Sequence, residues 1–145
     1  MKENEKTTLV KSYEEACALL GEQPMDEKEM AKILRPDEIA RRKLQVIAKA
    51  LNGKDWAPDW HDRTQPKWRP WFWIKGLFFG GGASNGADDG LAYAASRSAP
   101  SFARAHFGSR LCFKTEALSD YAAETFLDLW DAAFFGDDER YPNNR

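Results

Sequence analysis

The sequence contains few of the residues that most readily identify a function. It has two cysteines, Cys17 and Cys112, and two histidines in 145 residues. Two cysteines so far apart do not make the disulfide framework of a small secreted protein, and free thiols are typical of the cytoplasm. Histidines at positions 61 and 106 do not form the paired ligands of a helical zinc site. The composition therefore predicts a cytoplasmic protein without a disulfide scaffold.

A strong charge of one sign and long apolar runs are also missing. The chain has 21 lysine and arginine residues against 23 aspartate and glutamate residues, a net charge of −2. Such a balance provides no general attraction to nucleic acid or to a membrane surface. No apolar run approaches the roughly 20 residues of a membrane-spanning helix, and the polar N-terminus has no signal-peptide pattern. We expect no membrane association.

Catalytic and cofactor motifs are absent as well. The glycine-rich segment 76–90 lacks the Gly-Lys-Ser/Thr ending of a phosphate-binding loop, and the chain has no nucleophile elbow. Asp55, Asp59, His61 and Asp62 lie close together but lack the spacing of a calcium loop, so we interpret the aspartates as turn formers. Nothing selects an enzyme, and we expect a non-catalytic chain with no cofactor and no metal site.

Helix signals are clear in the first third of the chain. A capping box from Ser12 to Glu15 predicts a helix that ends at Gly21. Asp26 is a second N-cap, and the helix it begins is predicted to end near Arg35, because the proline that follows disfavours a helical conformation there.

Two longer amphipathic helices are predicted further on. Apolar residues recur at helical spacing from residue 37 to 52, and Gly53 is placed to end that helix. A second apolar face follows Thr115, an N-cap, and ends at Gly136. We interpret the basic patch on the first of these helices as its solvated face; it consists of Arg41, Arg42, Lys43 and Lys49.

The middle of the chain is rich in aromatic rings. Five of the six tryptophans lie between Trp56 and Phe79. The ring-rich segment 68–75 predicts a strand, and segments 91–96 and 109–114 predict two more. The glycine-rich segment between the first two is predicted as a long hairpin loop, and hairpins join antiparallel strands.

These elements predict one α+β domain over residues 11–135. We expect N-terminal helices, an antiparallel sheet of about three strands and a C-terminal amphipathic helix packed on that sheet. Residues 1–10 and 136–145 are predicted to be flexible.

Strand alternation defines a candidate binding face. If Phe72 and Ile74 point into the core, the residues that alternate with them along the strand point outward. The outward set predicted from the first and third strands is Trp71, Trp73, Lys75, Arg110 and Lys114. These rings could instead pack under a helix as core, or form a protein interface. Rings with nearby cations are also what single-stranded nucleic acid binds.

Four segments carry a resemblance to other proteins, namely residues 12–21, 47–53, 58–60 and 108–118. Through them the chain resembles an uncharacterised family of small proteins from gut Bacteroidales genomes, prophages and mobile elements. The Arg-Leu-Cys-Phe-Lys block at 110–114 is the most specific part. The resemblance implies a phage or mobile-element context and no site residue. We expect a non-catalytic binding or accessory module that engages another protein or itself; the alternative is single-stranded nucleic-acid binding through the aromatic and basic sheet face.

Overall fold

A computed structural model of the chain describes residues 9–74, 91–98 and 111–136. Lys75, Arg110, the glycine-rich loop and most of the two predicted flexible ends lie outside these residues. The described helices are α1 (Tyr13–Leu20), α2 (Glu27–Met30), α3 (Pro36–Asn52), α4 (Glu116–Thr125) and α5 (Leu127–Phe135). The described strands are β1 (Trp68–Ile74) and β2 (Leu91–Ser98). The fold class is α+β, as predicted.

Helices α1 and α3 begin and end where local signals predict. The Ser12 hydroxyl accepts a hydrogen bond from the Glu15 N–H at 3.1 Å, and Gly21 ends α1 with a φ of 71° that disfavours other residues. At the start of α3 the Glu38 carboxylate accepts from the Arg35 N–H at 2.8 Å. These interactions satisfy backbone groups that a helix end leaves unpaired.

Helix α2 is shorter than predicted. The Asp26 carboxylate accepts from the Glu29 N–H at 3.3 Å, which confirms the N-cap, but the helix ends at Met30 rather than near Arg35. No residue of α2 is buried, and Ile33 beyond it is 77% exposed. Since most helical stability in proteins comes from packing an apolar face, so short a segment has little reason to continue.

The predicted C-terminal helix is two helices. The chain leaves helical geometry at Phe126, with φ −112° and ψ 31°, and α5 begins at the next residue. The break gives the two halves different neighbours, because α4 packs against both strands whereas α5 packs mainly against α3. Phe126 and Trp130 are both buried in the core that results.

Within the described residues the sheet has two antiparallel strands rather than the predicted three. Of residues 111–114, the described part of the third segment, Phe113 alone pairs with β1, through two backbone hydrogen bonds of 2.8 and 2.9 Å to Trp68. The backbone groups of this segment that point away from Trp68 form hydrogen bonds with the Asn52 side chain. Its amide donates to the Cys112 carbonyl and accepts from the Lys114 N–H, both at 2.9 Å. This Asn52 clamp occupies the edge of the segment that faces away from β1.

The core lies between α3, the α4–α5 pair and one face of the sheet. Leu44, Ile47 and Leu51 project from α3 and are each 1% exposed. On the sheet side the Phe72 ring lies 5.4 Å from the Trp130 ring, centroid to centroid. The inner face of β1 is therefore the one that carries Phe72.

Candidate functional site

The outer face of β1 carries two exposed tryptophans. Trp68 and Phe72 pack against the core, so the alternation of a strand puts Arg69, Trp71 and Trp73 on the opposite side. Trp71 is 57% exposed and Trp73 is 42% exposed. We call Arg69, Trp71 and Trp73 the tryptophan face.

Small residues lie opposite the two rings on β2. Trp71 pairs with Ala95 and Trp73 pairs with Ala92, while a bulge leaves Ala94 as an extra residue. Directly opposed side chains are neighbours about 5 Å apart, and an alanine methyl covers little of an indole. The register therefore explains why the rings stay exposed, which no pattern within β1 alone could predict.

The structure does not bring Lys114 to the two tryptophans. Because Phe113 pairs antiparallel with Trp68, Lys114 lies beside Lys67, before the start of β1. At roughly 3.3 Å per residue that position is about 13 Å from Trp71 and about 20 Å from Trp73. Lys75 and Arg110, the other predicted cations, lie outside the described residues. Arg69 is the cation that β1 contributes to the tryptophan face, and Arg97 of β2 is its partner in the register.

A groove lies between α3 and the segment that follows it. Its volume is about 770 Å³, and its floor includes Cys112. We call it the α3 groove. Its main lining residues are Arg42, Lys49, Lys54, Trp56, Trp60 and Glu22. Volumes of 300–1,000 Å³ are typical of small-molecule sites.

Lys67 is buried behind one wall of the α3 groove. The side chain is among the most buried of the described residues, at 1% exposure, and its Nζ lies 5.2 Å from the centre of the Trp60 ring. The ammonium donates to the carbonyls of Asp62 and Gln65 at 3.0 and 3.1 Å. Sequence reasoning missed this residue, because a lysine between a proline and a tryptophan gives no sign of burial.

The clustered aspartates serve the backbone of their own loop. Asp59 accepts from the His61 N–H at 2.9 Å. Asp62 accepts from the hydroxyl and the N–H of Thr64 at 2.6 and 2.8 Å, and these hydrogen bonds lower the pKa of its carboxyl. Among the described residues no group of three histidine, cysteine or acidic side chains could hold a metal ion.

The thiol of Cys112 is not a reactive nucleophile. Burial raises its pKa to about 11, although the nearby charge of Lys67 opposes that shift. A thiol with this pKa is protonated near neutral pH, and the thiolate is the nucleophilic form. Cys112 therefore contributes a neutral floor to the α3 groove.

A buried hydroxyl cluster joins α4 to β2. The Ser96 hydroxyl donates to that of Ser119 at 2.8 Å, and the Tyr93 hydroxyl donates to Asp120. Burial, followed by the hydrogen bond to Asp120, raises the pKa of Tyr93. The cluster contains no histidine that could act as a base, and it holds two elements together.

A comparison of the chain with protein-family models, with curated proteins and with solved structures found no match. Among the described residues no helix has the length and apolar character needed to cross a bilayer. Function is therefore argued from the two surfaces themselves.

Proposed function

We propose that the chain is a non-catalytic binding module that engages a second protein chain through the tryptophan face. The observation that carries the proposal is the pair of exposed rings on one side of β1, at 57% and 42% exposure. Tryptophan is among the residues most enriched at the centres of protein interfaces. The mobile-element context rests on the sequence resemblance alone.

The exposed area suits an anchor within a larger contact. If an indole offers roughly 250 Å², these fractions leave about 250 Å² of ring surface open between them. A stable interface buries about 800 Å² on each partner. The two rings would supply about a third of that area, so we place them at its centre with contacts around them.

The charges favour a protein over nucleic acid. Single-stranded nucleic acid needs cations beside the stacked bases to meet its phosphates. Lys114 lies at the far end of β1, and Arg69 with its register partner Arg97 lies toward that same end, while the residues paired with Trp71 and Trp73 are alanines. A partner surface with an apolar pocket and an acidic rim would complement this face.

The test compares a double variant, Trp71→Ser with Trp73→Ser, against a control, Phe134→Ser. Phe134 is 55% exposed but reaches the inner-face ring of Phe72 at 6.0 Å, so it tests general surface hydrophobicity. Sedimentation equilibrium measures self-association, and cross-linking in extracts of the native host, followed by binding to each purified candidate, measures other partners. We expect the double variant to weaken binding by about 30-fold or more, the equivalent of a 2 kcal/mol hot spot.

Two outcomes would contradict the proposal. If the double variant associates as tightly as the wild type, the tryptophan face is not part of the binding interface. Quenching of tryptophan fluorescence by a single-stranded oligonucleotide, diminishing as salt is added, would favour the nucleic-acid alternative.

A further inference from the structure

The α3 groove has an excess of positive charge at its surface. Among the described residues, its lining includes Arg42, Lys49 and Lys54 against one acidic residue, Glu22. Lys49 and Glu22 lie 3.6 Å apart and neutralise each other in part. Arg42 and Lys54 enter none of the ion pairs found in the described part of the chain, and both are exposed. The groove therefore presents two cations to whatever enters it.

A further positive charge lies behind the wall of the groove. The buried ammonium of Lys67 is held by two carbonyls and by the Trp60 ring, and no ion pair of the described residues includes it. Asp62 balances part of this charge, since Lys67 helps to lower the pKa of its carboxyl. The charge that remains favours an anion nearby, because electrostatic interactions are stronger where water is excluded. Clefts lined by one sign of charge concentrate ligands of the opposite sign.

The walls of the groove are apolar and aromatic. Trp56 and Trp60 are half-buried, and Met25, Val46 and Pro58 add to the apolar lining. Sites for small organic molecules combine such walls with a few convergent polar groups. A flat indole wall suits a planar ring, which it can stack against.

We propose that the α3 groove binds a small organic anion that carries a planar ring. The ring lies against Trp56, and the anionic group, a phosphate or a carboxylate, lies between Arg42 and Lys54. The groove is lined by none of the residues of the tryptophan face, so this inference does not depend on the proposed function.

Calorimetry with four probes tests the proposal. Adenosine monophosphate carries a ring and a phosphate, and indole-3-acetate carries a ring and a carboxylate; adenosine and inorganic phosphate each lack one of the two features. We expect at least one ring-bearing anion to bind with a Kd below about 1 mM, and its affinity to fall as salt is added. Which of the two binds identifies the anionic group. The incomplete probes are expected to bind at least about tenfold more weakly, since each loses one set of contacts.

Variants assign the binding to the groove. Arg42→Ala with Lys54→Ala should weaken it about tenfold or more, as should Trp56→Leu. The control is Lys11→Ala with Lys28→Ala, which removes the same charge from exposed residues outside the groove. Circular dichroism confirms that each variant is folded. The proposal is overturned if neither ring-bearing anion binds at about 1 mM, if inorganic phosphate or adenosine binds as tightly, or if the control weakens binding as much as the groove variants.

Discussion

Replacing Asn52 tests the contact that joins the C-terminal half of the chain to α3. The residue is 4% exposed and makes two hydrogen bonds of 2.9 Å across 60 and 62 residues of sequence. In Asn52→Ala the Cys112 carbonyl and the Lys114 N–H lose their partners. An unpaired buried polar group costs roughly 1–3 kcal/mol, and the Lys114 group is only partly buried, so we expect about 2–4 kcal/mol of lost stability.

Thermal and urea unfolding measure this loss. For a chain of this length about 1 kcal/mol corresponds to roughly 3–4 °C, so the melting temperature should fall by about 6–16 °C. The matched control is Arg41→Ala, an exposed residue of the same helix, which should stay within about 0.5 kcal/mol of the wild type. An Asn52→Ala protein as stable as that control would refute the reasoning.

Asn52→Asp adds a dependence on pH. An ionised carboxylate still accepts a hydrogen bond from the Lys114 N–H. Its second oxygen, however, is repelled by the Cys112 carbonyl oxygen, because both atoms are negatively charged acceptors. The protonated acid can donate there, so folding raises the pKa of this carboxyl above its usual value of about 3.9. The protonated carboxyl therefore contributes its full stabilisation of the folded state below about pH 3.9, and this stabilisation is lost as pH rises through the folded-state pKa. The variant should approach wild-type stability in acid and fall below it near neutral pH; equal stability deficits at both would refute the clamp.

Two further predictions concern backbone space and an alkaline titration. Asparagine should be tolerated at Gly21, because it adopts the left-handed φ of 71° that this position requires and its Cβ would meet no other atom. At Gly136 it should cost about 1–3 kcal/mol, because its Cβ would lie 2.9 Å from the Cα of Asp37. Similar melting temperatures for the two variants would contradict this. Since burial raises the pKa of Cys112 from 9.0 to about 11, the wild type should lose roughly 3 kcal/mol of stability between about pH 9 and pH 11, as the unfolded state releases the proton first. Cys112→Ala should lack this loss, and parallel stability curves for the two proteins would be inconsistent with it.

Local signals predicted the helices whose ends depend on adjacent residues. The Ser12 cap, the left-handed Gly21 and the end of α3 at Gly53 all involve interactions within a few positions, so the sequence contains them directly. The break at Phe126 could not be predicted in this way. No glycine or proline lies near it, and the two halves diverge because they pack against different elements.

The predicted third strand does not form, and the cause lies in residues far from it in sequence. The alternation around Phe113 is genuine, and Phe113 does point inward at 1% exposure. The length of the pairing is instead limited on the β1 side, because the next hydrogen-bonded pairs of this ladder would need the N–H groups of residues 66 and 70, and both are proline. A pattern within residues 109–114 holds no information about those two prolines.

The two surfaces differ in how far they could be predicted. Alternation puts Trp71 and Trp73 on one side of β1, whereas their exposure depends on the alanines of β2 and hence on register. The α3 groove escaped prediction altogether. Two of its cations, Arg42 and Lys49, belong to a patch interpreted as a solvated face, and only the folded chain brings Trp56 and Cys112 against them.

The Asn52 clamp also limits how the protein can aggregate. Open sheet edges invite further strands, because their unpaired donors and acceptors are a template for another chain. Beside Cys112 and Lys114 that template is already filled, by an amide that makes the same two hydrogen bonds an incoming strand would make. Growth of fibrils by addition at this margin is therefore blocked within a single copy of the chain.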